Sequence, residues 1–137
     1  MPFDDMAGQG VTGEDPLGLG LRFWLDRSAS PARLVARFEP RPDHRGPPGY
    51  VHGGVAASVL DEVMASLGWA LDDTPCVTAR LELRYRKGIP LDGGPVRAES
   101  WREREEARRT QRVQGRILLA DGSVAVEASG LFVQVRA

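Results

Sequence analysis

The stretch GYVHGGVAASVLDEVMASLGWA, residues 49–70, combines a clear helical pattern with an unusual beginning. Apolar residues recur in it every three or four positions, which is typical of a helix with one wide buried face. They are Val55, Ala56, Val59, Leu60, Val63, Met64, Leu67 and Ala70, and Leu71 directly after the stretch continues the pattern. Pro75 follows shortly after, and the residue before a proline avoids the α region. The sequence therefore predicts one long helix over residues 53–71.

Alternating apolar residues on both sides of this helix predict strands. The alternation runs over residues 17–25 and again over 32–38, which is typical of a hairpin with one polar face. Four more strand-like segments follow the helix, at residues 76–87, 96–104, 109–120 and 123–135. One apolar helix and one half-apolar sheet can bury each other's apolar surfaces. The sequence therefore predicts an α+β domain in which an antiparallel sheet curls around a central helix.

Length and composition favour a single domain. The chain has 137 residues, of which 42% are hydrophobic, and this is enough for one modest core. Residues 1–16 mix Gly, Asp and Pro without periodicity, so we expect a flexible lead-in there and one domain over residues 17–137. Lys and Arg total 18 against 19 for Asp and Glu. The chain thus lacks the basic excess that nucleic-acid binding normally requires.

The first ten residues, MPFDDMAGQG, do not resemble a signal peptide, because they contain neither a basic nor an apolar region. No apolar run approaches the roughly 20 residues of a membrane span. We therefore expect a cytoplasmic protein with no membrane partner. One cysteine, Cys76, and two histidines, His44 and His52, argue against a disulfide framework or a zinc site. We expect neither a metal nor a cofactor.

The beginning of the helix has the properties of an anion site. The first turn of a helix leaves its amide groups without intrahelical partners, and the helix dipole makes that end partly positive. Gly53 and Gly54 lack the side chains that keep a ligand oxygen away from these amides. The arrangement suits a carbonyl oxygen that gains negative charge during acyl transfer.

Asp61 is a carboxylate in the apolar part of the helix, where an unpaired charge is costly unless it has a function. Asp61 lies eight positions after Gly53, which corresponds to roughly 12 Å at about 1.5 Å per residue. An attacking group must come within about 3.5 Å of the group that the amide polarises. One helix cannot do both for one substrate. We therefore expect a two-fold dimer in which Asp61 of one copy meets Gly53 of the other.

Each of these features also has a purely structural explanation. A lone Asp in a helix is usually solvated or a cap, and two glycines at a helix start usually form a tight turn. Their combination favours a functional site. Glu62, about 100° further around the helix, is the alternative acid if Asp61 is structural.

The motif VHGGVAASVLDE, at residues 51–62, resembles the signature of hotdog-fold acyl-CoA thioesterases, in particular the phenylacetate-degradation type. Residues 78–81 and 85–91 resemble the strand after the helix in those enzymes, and residues 121–125 resemble their last hairpin. The resemblance covers roughly residues 17–135. It implies a hotdog fold, an acyl-CoA substrate and a homodimer, frequently doubled to a homotetramer, with the thioester lying across the subunit boundary.

The resemblance also implies roles for individual residues. The Gly53 amide polarises the thioester carbonyl, with Gly54 beside it, and Asp61 of the neighbouring subunit acts as nucleophile or as base on a water. His52 helps to hold the thioester or orients the loop. Thr78 is similar to a hydroxyl residue that places the attacking water. Both residues also have a structural explanation. His52 can be a loop histidine that is hydrogen-bonded to the backbone, and Thr78 can be a simple strand former.

Coenzyme A carries phosphates, which need cations near the mouth of the pocket. Two clusters are candidates: Arg84, Arg86 and Lys87 after the helix, and Arg108, Arg109 and Arg112 later in the chain. Any one of these side chains can instead belong to a solvated strand face. Residues 102–109 mix arginine with glutamate, which predicts a surface run of paired charges.

One position departs from the family pattern. Some relatives carry an asparagine six residues before the motif histidine, and this chain has Gly46 there. Any role of that amide side chain is therefore absent here or filled differently.

Two other functions remain open at this point. One is a sensing module that binds acyl-CoA without cleaving it, since one fold hosts many functions. The sequence has no DNA-binding helix beside the motif, which argues against a regulator. The other is a dehydratase acting on a hydroxyacyl thioester, although dehydratases of this fold differ around the start of the helix.

Overall fold

A computed structural model describes residues 6–7, 17–104 and 108–135. Within these residues the chain forms seven strands, two consecutive α-helices and a short 3-10 helix at Pro42–His44. Their bounds are β1 Met6–Ala7, β2 Arg22–Asp26, β3 Arg33–Phe38, α1 Gly53–Ala65, α2 Leu67–Asp72, β4 Cys76–Tyr85, β5 Val96–Arg102, β6 Thr110–Leu118 and β7 Val124–Gln134. Of the predicted lead-in at residues 1–16, only Met6 and Ala7 are described, and they pair with β2.

All seven strands form one antiparallel sheet in the order β1-β2-β3-β5-β6-β7-β4. The helix α1 contacts five of these strands, from β3 to β7, so the sheet curls around it. The core consists of the inward side chains of the sheet and the buried face of α1, including Phe38, Leu60, Met64 and Phe132. The predicted α+β class, with a hotdog sheet around a central helix, is confirmed. The strand β4 lies at one edge.

The helix is interrupted at Ser66, whereas the sequence predicts a continuous helix over residues 53–71. Ser66 has a ψ angle of −11°, far from the value of about −42° in an α-helix. Gly68 follows two residues later, and glycine has a low helix propensity. The second helix, α2, continues from Leu67 to Asp72.

The first long strand begins later than the alternating pattern predicts. Gly18 and Gly20 have φ angles of 64° and 63°, which a strand does not allow. β2 therefore starts at Arg22. Leu19 and Leu21 are nevertheless buried, so the alternation marks buried side chains without strand geometry.

Residues 53–72 are long and apolar enough to cross a membrane, with a mean hydropathy of 1.3. This differs from the expectation that no apolar run approaches that length. The buried residues of α1 pack inside the curled sheet, which is the pattern of a core helix.

Candidate active site

His52 caps the beginning of α1. Its side-chain Nδ1 accepts a hydrogen bond of 2.8 Å from the amide of Gly54, and its carbonyl oxygen accepts from the amides of Val55 and Ala56 at 3.0 and 3.1 Å. Because Nδ1 is an acceptor, the neutral imidazole carries its proton on Nε2. His52 is exposed. The ring therefore caps the helix through one nitrogen and presents a donor through the other.

The two glycines at the helix start have different roles. A Cβ atom on Gly54 would lie 3.0 Å from the His52 Nδ1 atom, so glycine lets the imidazole reach the Gly54 amide. That amide is occupied by the cap. The Gly53 amide has no acceptor among the described residues, and Gly53 is exposed. Of the two amides that the sequence suggested for ligand binding, the one free of a protein partner belongs to Gly53.

Tyr85 is a site residue that the sequence analysis missed. Its hydroxyl donates a 2.7 Å hydrogen bond to the carbonyl oxygen of Gly53, and its ring lies 3.8 Å from the position of a Cβ on Gly53. Tyr85 is exposed at the edge of the sheet, and the partial burial of its phenol raises the pKa of that group. The sequence feature that could have identified Tyr85 is its position at the end of the strand after the helix, within the segment that resembles thioesterases.

Asp61 and Thr78 form a pair between α1 and the edge strand β4. The hydroxyl Oγ1 of Thr78 donates a 2.6 Å hydrogen bond to Oδ1 of Asp61. Ala79 is an extra residue in the pairing of β4 with β7, since Thr78 pairs with Phe132 and Arg80 with Leu131. Such bulges re-aim neighbouring side chains. Asp61 is half-buried and Thr78 is exposed, so the carboxylate lies against the open edge of the sheet.

Within one chain, Asp61 and the Gly53 amide are not brought together. Both lie on α1, which is unbroken from Gly53 to Ala65, and eight residues of helix correspond to about 12 Å. The bonds that fix each residue are also separate, since Thr78 holds Asp61 and Tyr85 holds the Gly53 carbonyl. The separation predicted from the sequence is therefore present in the fold.

Gly46 is required by the packing of the loop against His52. A Cβ atom at this position would lie 2.7 Å from the His52 Cα atom, a distance that real contacts do not show. The Gly46 amide donates to the Tyr50 carbonyl at 2.9 Å, and the His52 amide donates to the His44 carbonyl at 2.8 Å. The loop thus holds the motif histidine through backbone contacts.

The first cationic cluster lies at the end of β4 and just beyond it. Arg84, Arg86 and Lys87 are all exposed. Arg86 forms an ion pair with Glu127, and Arg84 lies opposite Glu127 in the pairing of β4 with β7. Glu127 therefore partly neutralises the charge of this cluster. The residues of the cluster flank Tyr85 in the sequence.

The second cluster lies at the other end of the sheet. Arg108 and Arg112 line a cavity of about 190 Å³ with Arg102 and Arg104. The sequence suggested that Arg102 belongs to a surface run of paired charges, and the structure shows that it does not. It is 3% exposed and binds Asp72 and Gln111, because its strand position points toward the end of α2. Glu105 and Glu106 of the predicted run lie outside the described residues.

Comparison with known proteins assigns these residues to one family. The family model described as the thioesterase superfamily matches residues 48–126. This chain belongs to the thioesterase superfamily. The matched range contains His52, Gly53, Asp61, Thr78 and Tyr85, so the superfamily domain includes the whole candidate site.

Individual relatives of this superfamily domain support the same assignment. Acyl-coenzyme A thioesterase THEM4 of Xenopus laevis is 30% identical over 121 residues, which are 88% of this chain and 54% of that protein. The chain thus spans about half the length of this relative. The crystal structure of a thioesterase superfamily protein is 29% identical with a TM-score of 0.75, covering 97% of this chain and 70% of that one.

A phenylacetic acid degradation-related protein from Ralstonia eutropha is also similar to this superfamily member. The two are 26% identical with a TM-score of 0.72, and the match covers 91% of this chain and 96% of the other. The predicted resemblance to hotdog thioesterases of the phenylacetate-degradation type is confirmed.

Proposed function

We propose that this chain hydrolyses the thioester of an acyl-coenzyme A to a free acid and coenzyme A. The observation that carries the proposal is the pair of groups on α1: a Gly53 amide without an acceptor among the described residues, and an Asp61 carboxylate held by Thr78 at an open sheet edge. A polarising amide and a carboxylate supply charge stabilisation and attack, which is sufficient for an electrophile as reactive as a thioester. The name of the Xenopus laevis relative supports the same reaction.

In the proposed reaction the Gly53 amide donates to the thioester oxygen as negative charge develops on it. Asp61 either attacks the carbonyl carbon itself or removes a proton from the attacking water. In both cases the carbon–sulfur bond breaks and coenzyme A leaves as a thiolate, which takes up a proton from water in the first case and from Asp61 in the second. Direct attack leaves the acyl group on Asp61 as a mixed anhydride, which a water molecule hydrolyses to the free acid and the regenerated carboxylate. His52, with its proton on Nε2, has a donor available for the thioester group. Thr78 orients the carboxylate through Oδ1, which leaves Oδ2 for the reaction.

The active unit in this proposal is a homodimer, or a dimer of dimers, with two shared sites. β4 is an edge strand with exposed apolar surface, since Val77 is 56% and Tyr85 is 53% exposed. Unpaired strand edges are templates for pairing with another chain. An antiparallel β4–β4 contact across a two-fold axis carries the Asp61 of each copy toward the Gly53 end of the other.

Coenzyme A phosphates are assigned to the cluster at the end of β4. Arg84, Arg86 and Lys87 are exposed and follow the strand that holds Tyr85 beside Gly53. These cations can contact the phosphates of coenzyme A while the thioester lies at the Gly53 amide.

Release of free thiol from a panel of acyl-coenzyme A substrates tests the proposal. We expect turnover by the native protein and a loss of orders of magnitude in Asp61→Asn. Asp73→Asn is the matched control, because Asp73 is exposed and has a φ angle of 58° that asparagine also tolerates. Glu62→Gln shows whether Glu62, the alternative acid, contributes to turnover. Saturable binding without thiol release, or undiminished turnover in Asp61→Asn, contradicts the proposal.

Light scattering tests the shared site independently. A dimer or a dimer of dimers has at least twice the chain mass of 14.9 kDa. A monomer that retains full turnover contradicts the shared arrangement.

A further inference from the structure

The peptide group between Gly53 and Gly54 is hydrogen-bonded at both ends by side chains. The Tyr85 hydroxyl donates to its carbonyl oxygen at 2.7 Å, and its N–H donates to the His52 Nδ1 atom at 2.8 Å. The three groups therefore form one continuous chain, from the phenol through the peptide to the imidazole. Tyr85 lies 32 residues from Gly53 and comes from the edge strand.

This chain of hydrogen bonds holds the second peptide of the helix start. The Gly53 N–H lies in the plane of the first peptide, which joins Gly53 to His52, and that peptide is held because its carbonyl, from His52, accepts from Val55 and Ala56. The following peptide lies between two glycines, which populate a wider range of backbone angles than any other residue. It is held by Tyr85 and by the His52 ring.

We propose that Tyr85 is a positioning residue: through the Gly53–Gly54 peptide it holds the His52 imidazole in the orientation that thioester hydrolysis requires. This inference rests on the function proposed above. Tyr85 does not contact the reacting atoms in this assignment. It acts because a donor that polarises the peptide carbonyl also strengthens the bond that the same peptide makes through its N–H.

Two further observations agree with this role. Burial raises the pKa of the Tyr85 phenol, so the hydroxyl remains a donor through the neutral and mildly alkaline range. The two bonds also define the state of His52, because an Nδ1 atom that accepts from Gly54 leaves the proton of the neutral ring on Nε2. The donor of His52 then points away from the helix cap.

The test compares Tyr85→Phe with Tyr50→Phe, which removes the hydroxyl of the only other tyrosine. We expect kcat to fall about 3- to 10-fold in Tyr85→Phe with KM unchanged, because a neutral hydrogen bond contributes about 0.5–1.5 kcal/mol. Tyr50→Phe should retain the native kcat. A native kcat in Tyr85→Phe contradicts the proposal.

A spectroscopic measurement on the free protein makes the test independent of activity. In nitrogen-15 NMR we expect the Nε2–H form of His52 in the native protein, and an upfield shift of the Gly54 amide proton in Tyr85→Phe but not in Tyr50→Phe. His44 is an internal standard, since its Nδ1 accepts from the Arg41 amide at 3.0 Å. An Nδ1–H form of His52, or an unmoved Gly54 amide, overturns the positioning role.

The two sets of measurements separate the two proposals. If the native protein releases no thiol from any acyl-coenzyme A, the proposed function fails. The amide and imidazole signals still decide whether Tyr85 orients the helix start.

Discussion

Thr78 donates a 2.6 Å hydrogen bond from its Oγ1 atom to Oδ1 of Asp61, joining the edge strand to the central helix. The bond leaves the second carboxylate oxygen without a protein donor among the described residues. It therefore fixes the orientation of the carboxylate without occupying both of its oxygens. The bulge at Ala79 contributes, because it changes the register of β4 directly after Thr78.

Replacing Thr78 by valine should lower kcat about 10- to 100-fold. Valine keeps the branched shape that suits a strand but removes the donor, and a hydrogen bond to a charged group contributes about 1.5–3 kcal/mol. Thr78→Ser keeps the hydroxyl and should retain most of the rate. Steady-state thiol release measures both variants. Equal rates for the valine and serine variants would show that the hydroxyl has no part in turnover.

The arrangement of strands and helix followed from the sequence because it depends on periodicity. The apolar stripe of α1 and the alternation of the later strands report which side chains are buried. The same reasoning placed β2 too early, because alternation over residues 17–21 reports burial while Gly18 and Gly20 have left-handed backbone angles. The periodicity of apolar residues does not reveal where the φ angle is positive.

The candidate site was predictable only where spacing along one element decides it. The distance between Gly53 and Asp61 follows from helix geometry alone. The contact of Tyr85 with Gly53 joins residues 32 positions apart, and no local pattern reports it. Similarly, Arg102 belongs to a charged segment of the sequence, yet its strand position places it beneath α2, where it binds Asp72.

Gly130→Ala should destabilise the fold by about 1–3 kcal/mol, the usual cost of overpacking. A Cβ atom at this position would lie 2.6 Å from the Arg80 carbonyl oxygen and 2.8 Å from the Phe132 ring. The first neighbour is backbone and cannot rotate away. The urea midpoint measures the loss, and Ser129→Ala on the same strand is the control, with an expected change within about 0.5 kcal/mol. An unchanged midpoint for Gly130→Ala would contradict this packing.

Cys76 should react slowly with thiol reagents in the folded protein. Burial raises its pKa, against a smaller lowering by Arg102, so less thiolate is present at a given pH than in a free cysteine. The protonated thiol therefore stabilises the fold below the unfolded pKa, and this contribution is lost as the pH rises through the folded pKa. Alkylation rates from about pH 7 to about pH 10, measured in buffer and in urea, compare the thiolate fraction of Cys76 in the folded and unfolded protein. Equal rates in the two conditions would contradict it.

Gly53→Pro should abolish most of the turnover while preserving the helix. Gly53 is the first residue of α1, a position that tolerates proline because its N–H has no helical acceptor. His52 has a ψ angle of 136°, which is compatible with a following proline. Gly53→Ala measures the separate effect of a side chain beside the amide, since it keeps the N–H and its Cβ makes ordinary contacts of 3.7–3.8 Å with Tyr85. Native turnover in the proline variant would show that the Gly53 amide is not the polarising donor.

A hybrid dimer of Asp61→Asn and Gly53→Pro chains should regain about half of the native rate. In such a dimer one site combines the intact Gly53 of the first chain with the intact Asp61 of the second, and the other site has lost both groups. Two affinity tags isolate the hybrid after co-expression, and each parent dimer alone should be nearly inactive. The eight-residue separation on α1 makes this recovery specific to a shared site, because a site built within one chain would leave both chains of the hybrid defective. A hybrid as inactive as its parents would place both groups in one chain.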